Sequence, residues 1–306
     1  MTLRTPLYDL GIRDDCLKKQ LDEDLSIIAQ TGRFVLGPKL EQFEKQFAEF
    51  LGISHVIGVN SGTDALWLSL LALSIGPGDE VITPAFTFIA TAAAIIRTGA
   101  QPVFVDIDPN TLCLSPNTCA GAITKRTRAI VAVHTYGHCG DLKAIAELCQ
   151  KYGLVLIEDA CQAVGGKWQG RSLGTIGTLA AFSFYPTKNL RALGDGGAIA
   201  TDDANIAGLL RQLRSHGRDE RGLHRHLGWN SHLSELSAAF LLHQLPGLAL
   251  ATERRAALAD RYIQQLPDNV RIVRGHPECS PAWHQFAILT QRRDELRSAL
   301  TAAGIE

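Results

Sequence analysis

Three short stretches of the sequence carry residue types that could act together on one small molecule. Lys188 lies in SFYPTKN between an apolar run and a glycine turn. Asp159 follows the apolar run LVLI and Glu158, and the small-residue turn NSGTD (60–64) precedes a helical pattern. A lysine amine can attack an aldehyde, a carboxylate can hold a cation, and free N–H groups at a helix N-terminus suit a phosphate. Taken singly, each has an ordinary interpretation as a solvent-exposed lysine or a helix cap.

The elements around these stretches place all three at one edge of a sheet. Short β-branched runs alternate with segments of helical periodicity, beginning with a helix over 38–52, a strand over 55–59 and a helix over 62–74. This alternation predicts an α/β fold with a mostly parallel central sheet and helices on both faces. Ligands of such sheets lie beyond the carboxyl ends of the strands. The stretch GDGGAIATDD then predicts a tight hairpin turn, with positive φ in 195–197, and a strand.

Length and charge limit the class of protein. A chain of 306 residues exceeds what one core usually fills, so we expect a large domain over 1–245 and a smaller C-terminal domain over 246–306. We expect this smaller domain to be of the α+β class and incomplete. The formal net charge is −1 with no run of one sign, so we expect neither nucleic acid nor a membrane as a partner. The longest uncharged stretch, 81–96, is too short to span a bilayer. The N-terminus lacks the apolar segment of a signal peptide.

The cysteines and histidines do not form a recognisable metal or disulfide pattern. Seven cysteines are scattered along the chain without a C-x-x-C pair, which argues against a disulfide framework and a zinc ribbon. His134, His138 and Cys139 lie close together in HTYGHC, but they follow a strand and include a turn. We therefore expect a loop or a substrate contact there, no metal site, and a cytoplasmic protein in a reducing compartment.

An amine, a carboxylate and a phosphate site at neighbouring strand ends match the needs of one cofactor. Pyridoxal phosphate requires a lysine for its aldehyde, an acid that keeps its pyridine nitrogen protonated, and an anion site for its phosphate. We therefore expect pyridoxal 5′-phosphate as the cofactor, with Lys188 and Asp159 as the catalytic residues.

Motifs from residue 32 to residue 245 resemble the DegT/DnrJ/EryC1/StrS family, fold-type I pyridoxal-phosphate aminotransferases that act on nucleotide-linked keto sugars. The matching segments are LGPKLEQFEKQFAEFLG, SGTDAL, GPGDEVITPAFTFIATAAAI, GAQPVFVDIDPNT, VHTYGHCGDL, IEDACQAVGG, SLGTIGTLAAFSFYPTKNLRALGDGG and GWNSHLSELSAAF. The resemblance implies transfer of an amino group from an amino acid, most often glutamate, to a ketone of the sugar.

The resemblance also implies catalytic roles for individual residues. Lys188 would form the Schiff base with the cofactor and then serve as the acid and base of the proton shift. Asp159 would pair with the pyridinium nitrogen. Gln162 would approach the ring hydroxyl of the cofactor.

Four further positions match residues that, in the family, hold the cofactor. The backbone of Gly62 and Thr63 and the hydroxyl of Ser183 would bind the phosphate. Phe88 would lie against the face of the ring, with core packing as the alternative for this residue.

Asn230 in GWNSH matches an asparagine that, in the family, reaches the phosphate from the neighbouring subunit. The match implies a homodimer with composite sites, and the histidine-rich stretch 216–226 is expected to be a mobile loop near the interface. The structural alternative is that Asn230 caps an amphipathic helix over SELSAAFLLHQL. Because the family usually has arginine where this chain has His232, we expect an arginine contact to be weakened or pH-sensitive.

Two other functions fit part of the pattern. Some members of the family use the cofactor to dehydrate a sugar, but they replace the lysine by histidine, so Lys188 argues against that reaction. The second alternative is a truncated, non-catalytic regulatory or partner subunit, because related chains continue into a His-Tyr-Pro segment whereas this sequence ends at GIE. Lys188, Asp159 and Ser183 favour the enzyme.

Overall fold

The computed structural model describes residues 5–306, in which a central sheet is combined with helices and two small sheets. The helices are α1 (Asp15–Thr31), α2 (Pro38–Leu51), α3 (Gly62–Ala72), α4 (Ile89–Arg97), α5 (Pro116–Ala122), α6 (Leu142–Tyr152), α7 (Ala204–Leu213), α8 (Glu235–Gln244), α9 (Leu248–Gln265) and α10 (Arg293–Ala302). The strands are β1 (His55–Val59), β2 (Glu80–Pro84), β3 (Gln101–Val105), β4 (Thr127–Val133), β5 (Val155–Asp159), β6 (Lys167–Trp168), β7 (Arg171–Ser172), β8 (Leu179–Ser183), β9 (Gly197–Thr201), β10 (Arg271–Ile272), β11 (Cys279–Ser280) and β12 (Ile288–Leu289).

The central sheet has seven strands in the order β1-β9-β8-β5-β4-β2-β3. Strand β9 runs antiparallel to both of its neighbours, whereas β8, β5, β4, β2 and β3 are parallel. This confirms the predicted α/β fold with a mostly parallel sheet. The register aligns Val133 with Asp159 and Asp159 with Ala181, so the carboxyl ends of β4, β5 and β8 meet at one edge.

Two hydrophobic cores lie on opposite faces of this sheet. Successive strand residues alternate between them, since Val56 belongs to one core and Ile57 to the other. Helices α2, α6 and α8 contribute to the first core, where the rings of Phe47 and Phe182 meet edge to face at 5.3 Å. Helices α3, α4 and α7 contribute to the second. Burial on both faces explains why the strands read as continuous apolar runs.

Helix α2 shows how local sequence and tertiary contacts combine. Leu40 and Phe43 recur at helical spacing and are buried, and Gly52 ends the helix in the left-handed conformation at φ 75°. The N-terminus is capped from α8, because the buried Glu235 carboxylate accepts three backbone N–H groups at the start of α2, each at 2.9 Å. This contact ties α2 to α8 across about two hundred residues of sequence.

Helix α8 differs from the sequence prediction in two ways. It begins at Glu235, and the side chain of Ser234 accepts the N–H of Ser237 as its N-cap, so Asn230 does not cap it. The helix is also buried on nearly all sides instead of being amphipathic, because it packs against both α1 and α2.

The turn before β9 also differs from the prediction. Strands β8 and β9 are joined by residues 184–196 and not by a tight hairpin turn, and positive φ occurs at Gly194 (134°) but at none of residues 195–197. Gly197 is required for a different reason, since a Cβ there would lie 2.4 Å from the carbonyl carbon of Ser61. Its missing side chain lets β9 approach the 60–64 turn.

Residues 246–306 contain α9, α10 and the strands β10 to β12. Strand β11 pairs with β6, which belongs to the preceding part of the chain. The division between 1–245 and 246–306 stays a prediction. None of the helices between residues 5 and 306 combines the length and the apolar character needed to cross a membrane.

Candidate active site

A cavity of about 570 Å³ opens at the carboxyl ends of the parallel strands. Seven of the eight residues singled out from the sequence line it: Gly62, Thr63, Phe88, Asp159, Gln162, Ser183 and Lys188. The eighth, Asn230, does not line it. The structure therefore brings together residues that are up to 126 positions apart (62 to 188).

Asp159 is the last residue of β5 and presents its carboxylate to this cavity. The side chain is only 6% exposed, and its Oδ2 accepts a hydrogen bond of 2.8 Å from the hydroxyl of Thr91. The N–H of Cys161 donates to Oδ1 at 3.3 Å. These two donors hold the orientation of the carboxylate.

The neighbouring carboxylate, Glu158, has a structural role. Because side chains alternate along a strand, it lies on the opposite face of β5, where His134 Nε2 contacts it at 2.8 Å. It also accepts three backbone N–H groups, from Gly174, Ile176 and Gly177, at 2.7 to 2.8 Å. Burial would raise the pKa of Glu158, but these hydrogen bonds outweigh it and leave the pKa below its usual value.

Lys188 lies in the turn that follows β8, where its N–H donates to the carbonyl of Tyr185 at 2.8 Å. Burial lowers the pKa of its amine, and the neighbouring Cys161 and Asp159 offset part of that effect. A larger share of the amine is therefore uncharged near neutral pH than for a lysine in water. An uncharged amine is the form that attacks an aldehyde.

The N-terminus of α3 forms an anion site beside Lys188. Ser61 is the N-cap and accepts the N–H of Asp64 at 3.1 Å, whereas within residues 5–306 the N–H groups of Gly62 and Thr63 have no acceptor. A Cβ at position 62 would lie 2.8 Å from Ser183 Cβ, so only glycine permits this approach of helix and strand. Two free N–H groups at the positive end of a helix suit a phosphate.

Gln162 and Phe88 complete the wall of the cavity. The Oε1 of Gln162 accepts the N–H of Tyr136 at 2.7 Å, which leaves its NH₂ group as a donor. Phe88 is 68% exposed, so the core-packing alternative for this ring is wrong. Phe88 immediately precedes α4 and belongs to neither hydrophobic core.

Asn230 lies outside the cavity of its own chain. It is exposed and pairs with Ser215 in an isolated antiparallel bridge, at the end of the 216–226 loop. The following residues contact α3 and the segment after α7: the hydroxyl of Ser231 donates to Asp64 at 2.7 Å, and His232 contacts Ser215 at 2.9 Å. Burial, with the nearby positive charge of Arg214, lowers the pKa of His232. The imidazole at position 232 is therefore uncharged near neutral pH to a greater extent than a histidine in water.

The histidines and cysteine of HTYGHC serve separate structural contacts. His134 bonds to Glu158, and His138 is fully buried with its ring edge to face with Trp283 at 4.9 Å. Among the residues that the structure describes, no group of three His, Cys, Asp or Glu side chains is arranged to hold a metal ion. The loop expectation for this segment is confirmed, because it forms a single 3₁₀ turn after β4.

Three residues at or near the cavity were missed by sequence reasoning. Thr91 follows Thr87 by four residues, and that spacing could have revealed the hydroxyl pair behind Asp159. Cys161 lies between two residues that were singled out, yet its type carries no clear signal. His284 comes from PAWHQF, nearly a hundred residues beyond Lys188, and no local pattern indicates it.

Known proteins share this architecture along the whole chain. The model of the DegT/DnrJ/EryC1/StrS aminotransferase family matches residues 15–306. The dTDP-3-amino-3,4,6-trideoxy-alpha-D-glucose transaminase of Streptomyces venezuelae is 44% identical over 307 residues, a match that covers 100% of this chain and 81% of that protein.

Solved structures agree with this comparison. The crystal structure of S. venezuelae DesV in complex with a ketimine intermediate superposes with a TM-score of 0.95 at 45% identity, covering 100% of this chain and 83% of that one. Bacillus subtilis NtdA with bound cofactor PMP gives a TM-score of 0.85 at 36% identity, covering 93% of this chain and 66% of that one. The aminotransferase prediction is confirmed, and the cofactor is pyridoxal phosphate, as predicted. The chain belongs to the DegT/DnrJ/EryC1/StrS aminotransferase family.

Proposed function

We propose that this protein transfers an amino group from glutamate to a keto group of a nucleotide-linked sugar. The observation that carries the proposal is a single cavity in which the Lys188 amine and the Asp159 carboxylate face a helix N-terminus. The similarity to a transaminase named for a dTDP-linked sugar supports the acceptor class. Lys188 itself argues against a dehydratase, which would have histidine at this position.

The residues of the cavity fit pyridoxal phosphate. Bound there, the cofactor supplies an aldehyde and an electron-withdrawing ring. The free N–H groups of Gly62 and Thr63, with the hydroxyl of Ser183, would hold its phosphate. A Cβ at position 62 would collide with Ser183 and with Cys161 Sγ, both at 2.8 Å, so this cradle depends on glycine.

Lys188 would hold the aldehyde carbon and then move the proton between the two carbons of the reacting group. Because burial lowers its pKa, the amine can accept a proton and return it near neutral pH. The Asp159 carboxylate, oriented by Thr91 and by the Cys161 N–H, would keep the ring nitrogen protonated. By holding that proton on the ring, Asp159 would help the bound cofactor to stabilise negative charge on the reacting carbon.

Gln162 and Phe88 would orient the ring. With its Oε1 occupied by the Tyr136 N–H, the NH₂ of Gln162 is the group that can donate to the ring oxygen of the cofactor. The exposed Phe88 ring would cover one face of the cofactor and exclude water from it.

Spectroscopy and mass spectrometry test the proposed role of Lys188. The purified protein should absorb in the visible range, and borohydride should remove that band and fix the cofactor on Lys188. Lys188→Ala should lose the band and all turnover while keeping its thermal unfolding temperature, and the exposed Lys151→Ala should behave as the wild type. Cofactor trapped on another lysine would refute the assignment.

We further propose that the working unit is a homodimer in which Asn230 of each subunit reaches the phosphate of the other. Asn230 is exposed and lies outside its own cavity, which a contact in trans requires. Large apolar side chains are also exposed, among them Ile89, next to the cavity-lining Phe88, at 71% and Leu227, three residues before Asn230, at 82%. A monomer would leave these side chains in water, whereas a dimer can bury them.

Mixed dimers test the contact in trans. Lys188→Ala and Asn230→Ala each inactivate every site of their own homodimers if the proposal holds. A heterodimer of the two variants collects both changes in one site and leaves the other site intact, so part of the activity should return. If heterodimers form, as mass spectrometry can show, and no activity returns, Asn230 acts within its own chain or not at all.

We also propose that the protein works in the cytoplasm. All seven cysteines are unpaired, and four of them, Cys113, Cys119, Cys139 and Cys149, are buried. Free thiols throughout a chain are typical of a reducing compartment. Cell fractionation of the host with an antibody against the protein would test this, and recovery outside the cytoplasm would contradict it.

A further inference from the structure

A second cavity, of about 640 Å³, adjoins the first and opens beside Lys188. Residues common to the two cavities are Tyr8, Thr187, Lys188, His284 and Gln285. Arg191 and Arg255 line only the second cavity. A substrate held against Lys188 can therefore extend into a space that contains two guanidinium groups.

Neither arginine is balanced by a carboxylate within residues 5–306. Arg191 donates from Nη1 to a main-chain carbonyl at 3.0 Å, and Arg255 does so at 3.2 Å. The acidic residue that lines this cavity, Asp9, pairs instead with Arg13 at 2.7 Å. Most of the N–H donors of both guanidinium groups are thus available to a ligand.

His284 lines both cavities and lies close to the positive charges of Lys188 and Arg255. Burial, together with the charges of Lys188 and Arg255, lowers its pKa to about 3. Its Nδ1 lies 3.4 Å from Asn189 Oδ1, which is uncharged, so this contact brings no carboxylate to Arg255. Half-buried cations without a counter-charge are costly unless an anion binds beside them.

We propose that Arg191 and Arg255 bind the diphosphate of the nucleotide-linked sugar. Two guanidinium groups match the two negative charges of a diphosphate and can form paired hydrogen bonds with it. The α-carboxylate of the amino donor is attached to the reacting carbon and so belongs beside Lys188, in the first cavity. A sugar ring separates the diphosphate from the reacting carbon, which places it in the adjoining space. The inference rests on the proposed function.

Direct binding tests the site without catalysis. The holoenzyme is titrated calorimetrically with inorganic pyrophosphate, dTDP and UDP. Arg191→Gln and Arg255→Gln should each weaken binding of the diphosphate probes at least about tenfold, because each removes charge-assisted hydrogen bonds. Arg254→Gln is the matched control, since Arg254 is the exposed neighbour on the same helix. Unchanged visible spectra and unfolding temperatures show that the variants are folded and loaded with cofactor.

The donor half-reaction separates this inference from the proposed function. Rapid mixing with glutamate, followed in the visible band of the cofactor, should give the same rate constant and half-saturation in both variants as in the wild type, within about twofold. If the wild type does not react with glutamate, then glutamate is not the amino donor. The binding titrations would still test the diphosphate site, because they do not depend on the donor. Absence of diphosphate binding to the wild type, unchanged binding in both variants, or a loss confined to glutamate would each overturn the diphosphate site.

Discussion

Thr91 donates a hydrogen bond of 2.8 Å to Oδ2 of Asp159, and it is itself bonded to the hydroxyl of Thr87 at 2.8 Å. Thr91 lies in the first turn of α4 and is 1% exposed, whereas Thr87 lines the cavity. Two hydroxyls therefore connect the cavity wall to the Asp159 carboxylate, which also lines the cavity. Thr91 is a positioning residue, since it acts through Asp159.

Thr91→Val should lower kcat by roughly ten- to a hundredfold, because a hydrogen bond to a charged group contributes about 1.5–3 kcal/mol. The valine has nearly the same shape, so the unfolding temperature should change little. Thr91→Ser should restore most of the activity, and the pH dependence of the visible absorption band should shift in the valine variant alone. Equal behaviour of the two variants would show that Thr91 only fills space.

Asp159→Asn should keep the cofactor but slow turnover. Loss of the charge opposite the ring nitrogen should raise the barrier by about 2–4 kcal/mol, as removal of one electrostatic contact does in other active sites. Steady-state kinetics measures the change. The control is Asp106→Asn, because Asp106 follows β3 at the same edge of the sheet but lies outside the cavity. Full activity of Asp159→Asn would mean that another group protonates the ring.

Gly62→Ala should weaken cofactor binding by about tenfold or more. The new Cβ would lie 2.8 Å from both Ser183 Cβ and Cys161 Sγ, and such overpacking costs about 1–3 kcal/mol. Equilibrium titration of the apoenzyme with pyridoxal phosphate measures the affinity. In the control, Gly208→Ala on α7, the Cβ meets nothing within 4 Å, so that variant should bind normally and gain about 0.5–1 kcal/mol of stability.

His138 should make the fold sensitive to acid. Burial lowers its pKa from 6.5 to about 4, so below pH 6.5 the unfolded chain takes up a proton that the folded chain does not. Stability therefore falls as the pH falls through this window, and this group should account for about 2 kcal/mol between pH 7 and pH 5.

His138→Phe should remove that part of the pH dependence, because both ring nitrogens lack a hydrogen-bond partner within residues 5–306. Urea unfolding of the wild type and the variant at pH 7 and pH 5 measures the difference. The exposed His226→Phe should leave the pH dependence unchanged. If the free energy of unfolding falls by the same amount between pH 7 and pH 5 in His138→Phe and in the wild type, other groups cause the acid sensitivity.

Local sequence predicted the alternation of strands and helices that builds the parallel part of the central sheet. The strand over 55–59 and the helix over 38–51 follow from β-branched runs and from apolar spacing, which are properties of neighbouring residues. The carboxyl-edge rule then placed Gly62, Asp159 and Lys188 together, because parallel strands end at the same side of a sheet. Seven of the eight residues singled out do line one cavity.

Contacts between distant segments were decided only by the tertiary structure. Asp159 and Glu158 are neighbouring carboxylates at the end of the same strand. Because they lie on opposite faces of β5, Asp159 lines the cavity whereas Glu158 bonds to His134. Likewise, Arg255 and His284 reach the site from about seventy to a hundred residues beyond Lys188. Their charges and burial depend on packing across the whole chain, and no pattern among neighbouring residues carries that information.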